Sequence, residues 1–284
     1  GSGNDALTGD ALDNRLDGQA GNDILDGGAG SDQVLGGDGD DVIYASAGND
    51  SLQGQAGNDT FHWTAADGRD TFNGGAGTDT VNLIGSAVAD VADAKWNGSA
   101  ITGLLNNAFI DIEAIHLDLG AGGPGGDWLR YTTSFGVSVN LSTGTATGFA
   151  SVTGVENLIG GSGADTLIGD AGVNKINGAD GDDRVEGGAG NDNLTGGAGS
   201  DTFVYAAGCG NDTINDFDAW ADGGQDFLDV SAFGINAGNF AARIAIIATG
   251  ADTVVRIDDS YFITLKNVSG DGDNVITIDD FILG

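Results

Sequence analysis

The chain has 284 residues, 53 of them glycine and one proline, and its 43 acidic against 9 basic side chains leave a formal net charge of -34. A surface of that sign excludes nucleic acid as a natural partner. The single cysteine, Cys209, excludes an internal disulfide, and no apolar run of about 18 residues is available to span a membrane. Glycine at this level would suit a disordered chain, yet 40% of the residues are hydrophobic and recur at regular intervals. An ordered structure is expected, with a structural metal as its staple. The N-terminus Gly1-Ser2-Gly3 carries no signal segment and the chain has no methionine, which reads as a fragment or a processed form.

From residue 1 to 82 the organising feature is a nine-residue row. Gly27-Gly28-Ala29-Gly30-Ser31-Asp32-Gln33-Val34-Leu35 leads directly into Gly36-Gly37-Asp38-Gly39-Asp40-Asp41-Val42-Ile43-Tyr44, and the frame continues through Asp50 and Asp59. A two-residue insertion, Trp63-Thr64, precedes the rows of Asp70 and Asp79. Upstream, Asp23 and Asp5 fit the frame, with Asn14 replacing the aspartate between them. Residues 83 to 150 lose this beat. Trp96-Asn97-Gly98-Ser99 predicts a hairpin turn, and Phe109 to Leu117 partly alternates like a strand. Val81-Asn82-Leu83 matches Val139-Asn140-Leu141, and Ile112-Glu113-Ala114-Ile115 matches Val155-Glu156-Asn157-Leu158, which favours two variant coils over a separate inserted domain. The row returns within 151 to 215, through Asp165, Asp183, Asp192 and Asp201, with a degenerate row at Asn174. After a second slip at Tyr205-Ala206 comes Asp212. Residues 216 to 284 are denser in aromatic and branched side chains, from Phe217 to Leu283.

These Gly-Gly-x-Gly-x-Asp-x-apolar-x rows resemble the RTX (repeats-in-toxin) calcium-binding nonapeptide. The resemblance implies an all-β fold, a parallel β-roll in two arrays, with the glycine-aspartate segment as turn and two rows, 18 residues, per coil. The C-terminal stretch looks like the capping region of RTX proteins, whose end is read by a type I secretion channel. A few antiparallel strands that only cover the open end of the stack are the simpler reading, and both can hold for the same residues.

The residues support a metal on their own account. In an 18-residue coil, Asp23, Asp41 and Asp59 stack on one edge and Asp32, Asp50 and Asp70 on the other, about 4.8 Å apart. Two unit charges at that spacing repel by about 3.5 kcal/mol at an effective dielectric of about 20. Around ten such gaps exceed the roughly 5 to 15 kcal/mol that a domain has in hand. Calcium, which accepts six or more oxygens in a flexible cage, suits the arrangement better than magnesium. The expected carboxylate ligands are Asp5, Asp23, Asp32, Asp41, Asp50, Asp59, Asp70, Asp79, Asp165, Asp183, Asp192, Asp201 and Asp212. The turn glycines expected to crowd the ion are Gly21, Gly28, Gly30, Gly37, Gly39, Gly48 and Gly57 in the first array. In the second they are Gly161, Gly163, Gly181, Gly188, Gly190, Gly197 and Gly199. Glycine at the first, second and fourth positions of a row is expected to permit left-handed backbone. A plain turn-forming role would explain one such aspartate, but not a series in strict phase.

Catalytic chemistry is sparse. His62 and His116 are the only histidines, no zinc or nucleophile-elbow motif is present, and the glycine cluster 120–126 lacks the lysine of a phosphate loop. Cys209 reads as a buried or incidental thiol in a turn, not a nucleophile. The chain is therefore expected not to be an enzyme but a calcium-folded module supporting the secretion and display of an exported bacterial protein, located outside the cell or at its surface. The alternative is an adhesin or matrix segment whose middle region binds a glycan. An exposed cluster of Trp96, Trp128 and Tyr131 would favour it, and their burial would favour a structural role. A short Thr143-Thr145-Thr147 ladder occurs in one coil only and makes no repeated face.

Overall fold

The computed structural model describes residues 1–105, 107–220, 224–268 and 275–284, with the side chain of Trp96 outside that description. The described residues are short strands joined by turns, with one four-residue α-helix, Phe240–Arg243, and two 3-10 turns, Ser231–Phe233 and Ile278–Asp280. They form two compact units, one of Gly1–Leu129 with Gly148–Val155 and one of Arg130–Thr147 with Glu156–Gly284.

In the first unit the rows become short parallel strands dealt alternately to two sheets. One carries Ala6–Thr8, Ile24–Asp26, Val42–Tyr44, Thr60–Thr64, Thr80–Ile84, Ala114–Asp118 and Ser151–Thr153 in that order. The other carries Arg15–Ala20, Gln33–Asp38, Ser51–Ala56 and Thr71–Ala76. Leu7 pairs with Leu25 and Leu25 with Ile43, so the coil is the expected 18 residues. After Trp63-Thr64 the step lengthens, and Phe61 pairs with Val81. One apolar residue per row points inward. Leu25, Ile43, Phe61 and Val81 from one sheet, and Val34, Leu52 and Phe72 from the other, are all fully buried. Phe61 and Phe72 meet edge to face at 5.7 Å across the interior. Each inward side chain finds its partners only in the coils above and below, which is why the stack and not the row is the stable unit.

The middle region departs from one expectation. Asn107–Ile110 and Ala114–Asp118 are two strands in different sheets, separated by a turn with Asp111 in left-handed backbone. The alternation from Phe109 to Leu117 therefore does not belong to one strand, because the chain changes sheets within it. Val91–Trp96 and Ile101–Leu104 form an antiparallel hairpin, closed where Asn97 Oδ1 accepts the Ser99 and Ala100 N–H groups.

The second unit repeats the plan. Ser138–Asn140, Thr166–Ile168, Arg184–Glu186, Thr202–Val204, Phe227–Asp229 and Phe281–Ile282 stack in parallel in one sheet. Asn157–Ile159, Lys175–Asp180, Asn193–Ala198 and Thr213–Ile214 do so in the other. Thr213–Ile214 then pairs with Tyr261–Leu265, which opens an antiparallel meander with Thr253–Ile257 and Ile244–Ala248. Phe217 is buried against Phe203 with ring centroids 6.1 Å apart.

Candidate metal centre

A regular row leaves its strand at a first-position residue and reaches its aspartate five residues later, or seven in the rows of Trp63 and Tyr205, so the turns line up along two edges of each stack. On one edge of the first unit the Asp5, Asp23, Asp41 and Asp59 N–H groups donate to Oδ1 of Asp23, Asp41, Asp59 and Asp79 at 2.7 to 2.9 Å. The Asp79 N–H continues to Glu113 Oε2 at 2.7 Å. On the other edge the Asn14, Asp32 and Asp50 N–H groups donate to Asp32, Asp50 and Asp70, each at 2.8 Å, and Asp70 N–H ends on Asn107 Oδ1. In the second unit, Val137, Asp165, Asp183 and Asp201 donate to Asp165, Asp183, Asp201 and Asp226. Asn174 and Asp192 donate to Asp192 and Asp212, each at 2.9 Å.

One oxygen of each carboxylate is thereby used. The other, Oδ2 of Asp23, Asp32, Asp41, Asp50, Asp59, Asp70, Asp79, Asp183, Asp192, Asp201 and Asp212, is buried with no hydrogen-bond partner. A buried carboxylate oxygen without a donor costs several kcal/mol in order of magnitude unless it meets a proton or a cation. The carboxyl groups record that cost. Burial, reinforced by the next aspartate in the ladder and opposed by the backbone N–H, pushes Asp59 up to about 6 and Asp183 to about 7. Asp70 and Asp212 rise to about 7 with burial as the largest cause.

The unpartnered oxygens face a space that only glycine leaves open. A methyl group on Gly36 would lie 2.2 Å from Asp41 Oδ2 and 2.8 Å from the Gly54 carbonyl oxygen. One on Gly18 would lie 2.2 Å from Asp23 Oδ2 and 2.6 Å from the Gly36 oxygen. Gly54, Gly160 and Gly178 repeat this cradle of one carboxylate and one carbonyl from the next coil. Among the described residues no three carboxylate, imidazole or thiol side chains converge. The donor set is thus a hard, all-oxygen one of stacked carboxylates and carbonyls, which fits calcium and offers nothing to a softer metal.

Several expectations are corrected or refined by this geometry. First-position glycines such as Gly27, Gly36 and Gly160 are not left-handed, and neither are Gly48, Gly161 and Gly163. They are required for space: a methyl on Gly48 would stand 1.6 Å from the Gly30 carbonyl oxygen. Gly21, Gly28, Gly30, Gly37, Gly39, Gly57, Gly181, Gly188, Gly190, Gly197 and Gly199 do have positive φ. Asp5 lies at the margin, its carboxylate partly exposed and paired with the Gly1 ammonium at 2.9 Å. Asp226 was missed by the sequence reading. It is buried, with Oδ1 accepting the Asp201 N–H and Oδ2 the Asp218 N–H; Gly224-Gln225-Asp226-Phe227-Leu228 carries the second half of the row, but without the first- and second-position glycines. Cys209 is buried and its thiol is pushed up to about 11, mainly by burial and then by Asp212, so it is poorly suited to act as a nucleophile. His62 stacks on Tyr44 and His116 bonds to Ser151 Oγ at 2.7 Å. Of the expected aromatic cluster, Tyr131 is buried with its hydroxyl donating to the Thr147 carbonyl, Trp128 is half-buried, and the Trp96 side chain lies outside the described residues.

Comparison with known sequences agrees with this geometry. Residues 1–34, 35–62 and 64–83 match the RTX calcium-binding nonapeptide repeat, and residues 135–283, more than half of the chain, match the peptidase M10 serralysin C-terminal family. The chain belongs to the serralysin C-terminal family of RTX proteins. Its nonapeptides are calcium-binding repeats and its fold is a parallel β-roll. No curated protein matches the sequence. Among solved structures, the extracellular lipase LipA from Serratia marcescens aligns at 20% identity over 91% of this chain and 40% of the lipase, with a TM-score of 0.29. The RTX chain therefore spans less than half of that lipase, and a likeness of that size carries no argument.

Proposed function

We propose that the aspartate ladders and turn carbonyls of both arrays hold calcium between successive coils, and that the chain is the calcium-folded module of an exported protein. The observation that supports this reading is the series of buried, unpartnered Oδ2 atoms in phase with the coil, those of Asp23, Asp32, Asp41, Asp59, Asp79, Asp183, Asp192 and Asp201 each facing a glycine cradle. Calcium supplies two positive charges and six or more oxygen positions per ion. The chain's own part is to fix Oδ1 on the preceding coil's N–H, so that Oδ2 is aimed at the cradle and the ladder is held in register as the coils stack. With the site absent from the unfolded chain, binding free energy becomes folding free energy. At the low free calcium of a cytosol the ladder repels itself and the chain stays unfolded; outside, it folds.

The C-terminal segment, residues 216 to 284, serves in this reading both as the cap of the second stack and as the part addressed to a type I secretion channel. Its meander pairs directly on the last coil through Thr213–Ile214 and Tyr261–Leu265. Deleting residues 216 to 284 is expected to leave the second array protease-sensitive at calcium levels that protect the intact chain, and to stop export in cells carrying a type I channel. Unchanged protection contradicts the capping role, and continued export contradicts the address.

A further inference from the structure

The two edges of each stack are not built alike. Strand pairing sets Gly18, Gly36, Gly54 and Gly74 in one file along the Asp23–Asp79 edge, and Gly160, Gly178 and Gly196 in the matching file of the second unit. Every first position there is glycine. On the opposite edge the file in the first unit reads Gly9, Gly27, Ala45, Trp63, Leu83 and Leu117. In the second unit it reads Gly169, Gly187, Tyr205 and Val230. Glycine gives way to a buried aromatic side chain and then to buried aliphatic ones: Trp63 is 4% exposed, Tyr205 1%, Leu83 1% and Val230 0%.

Both aromatics arrive with a two-residue insertion. Trp63 lies seven positions before Asp70 and Tyr205 seven before Asp212, where Gly27 lies five before Asp32. The extra residues are taken up in equivalent turns, closed by Asp67 N–H to the Thr64 carbonyl and by Cys209 N–H to the Ala206 carbonyl. The longer turn makes room for a ring where the shorter turns of this edge have glycine or, at Ala45, a single methyl group. Each ring carries one polar hydrogen. Trp63 Nε1 and Asp70 Oδ2 are both buried without a formed hydrogen bond, and so are the Tyr205 hydroxyl and Asp212 Oδ2. In both units the ring stands at the first position of the lengthened turn and the carboxylate at the end of the same turn, held in the ladder by the N–H of the preceding coil. In the first unit the ladder then ends on a neutral amide, Asn107, while the other edge continues to the carboxylate of Glu113.

We propose that Trp63 and Tyr205 are built-in ends to calcium binding on this edge, filling the cradle and donating N–H and O–H to Asp70 and Asp212, which take a hydrogen bond where the other ladder carboxylates take a cation. This rests on the calcium reading of the ladders, and it divides their carboxylates into two kinds. A donor of fixed position satisfies one oxygen without calcium, so the Asp32–Asp70 ladder stops at a neutral layer, and aspartates meet again on this edge only where the Asp90 N–H donates to Asp127 Oδ1.

The test is the number of calcium ions held by the full chain, measured by native mass spectrometry at saturating calcium, for the isosteric variants Asp59→Asn, Asp201→Asn, Asp70→Asn and Asp212→Asn. Loss of bound calcium from the first two with an unchanged number in the last two is expected. Loss from all four overturns the proposal and leaves the ladders as calcium sites. An unchanged number in all four overturns the ladder reading itself, and the proposal with it. Tyr205→Phe keeps the ring and removes the donor, so it should keep the calcium number and lower the thermal midpoint of the calcium-loaded chain. A midpoint equal to that of the parent overturns the hydrogen-bond role.

Discussion

The Asp23–Asp79 edge and the Asn14–Asp70 edge of the first unit have the same turn length at their start, the same N–H to Oδ1 spacing and the same depth of burial. They differ in what stands at the first position of the turn. Along one, glycine is retained from Gly18 to Gly74 and the ladder passes from Asp79 to another carboxylate, Glu113. Along the other, the ladder begins at Asn14, narrows at Ala45 and ends at Trp63 and Asn107. Identical aspartates are therefore not identical sites: the missing Cβ five residues upstream decides whether a carboxylate faces an open cradle.

That contrast can be broken most severely at the centre of the glycine edge. Asp41 is 1% exposed, with Asp23 on one side and Asp59 on the other. Asp41→Ala leaves the Asp23 N–H buried without an acceptor and removes a ligand from two gaps, so about 3 kcal/mol or more of calcium-dependent stability should be lost. Asn14→Ala, at the start of the mixed edge, should cost about 1 kcal/mol, the value of an ordinary hydrogen bond. Chemical denaturation of both variants in saturating calcium compares them, and equal losses would mean that the edges are equivalent.

A smaller effect is expected from exchanging the first-position residues. Gly36→Ala drives a methyl group to 2.2 Å from Asp41 Oδ2, which should cost about 1 to 3 kcal/mol as overpacking and raise the calcium midpoint. Ala45→Gly on the mixed edge should cost only about 0.5 to 1 kcal/mol through added chain entropy. If the two substitutions are equally damaging in calcium titrations, the cradle does not distinguish the edges.

The mildest probe is pH without calcium. Asp50, Asp59, Asp192 and Asp201 stand at about 6, and Asp70, Asp183 and Asp212 at about 7, with burial as the leading cause in each. The unfolded values are near about 4. The folded, calcium-free chain thus binds more protons than the unfolded one between those limits. Its stability is fullest below about pH 4 and is lost as the pH rises through about 6 to 7. Calcium-stripped protein should gain β signal in circular dichroism as the pH is lowered from about 8 to about 5. A signal that falls over this interval contradicts the assignment of buried, proton-accepting ladders.

Much of this was legible in the sequence because the row length is short and strict. The 18-residue coil, the inward Leu25, Ile43 and Phe61, and the phase of the aspartates all follow from a repeated pattern whose physical meaning is local. The division of Phe109–Leu117 between two sheets was not legible, since alternation is the same whether or not a turn at Asp111 intervenes. Nor was the role of the first glycine. Its backbone is ordinary, and its necessity appears only when the coil below brings Asp41 Oδ2 and the Gly54 carbonyl to the same point. The insertions Trp63-Thr64 and Tyr205-Ala206 were visible as slips of frame, but their shared outcome depends on strand register that no single row encodes.

The most direct test of the account is a calcium titration of the intact, calcium-stripped chain near pH 7.5, followed by far-UV circular dichroism. The buried ladders predict little β signal in excess chelator and a steep, cooperative rise to the full β-roll spectrum as free calcium reaches about 10⁻⁴ to 10⁻³ M, the range of extracellular calcium modules. A full β spectrum already present in chelator, unchanged by added calcium, would contradict it.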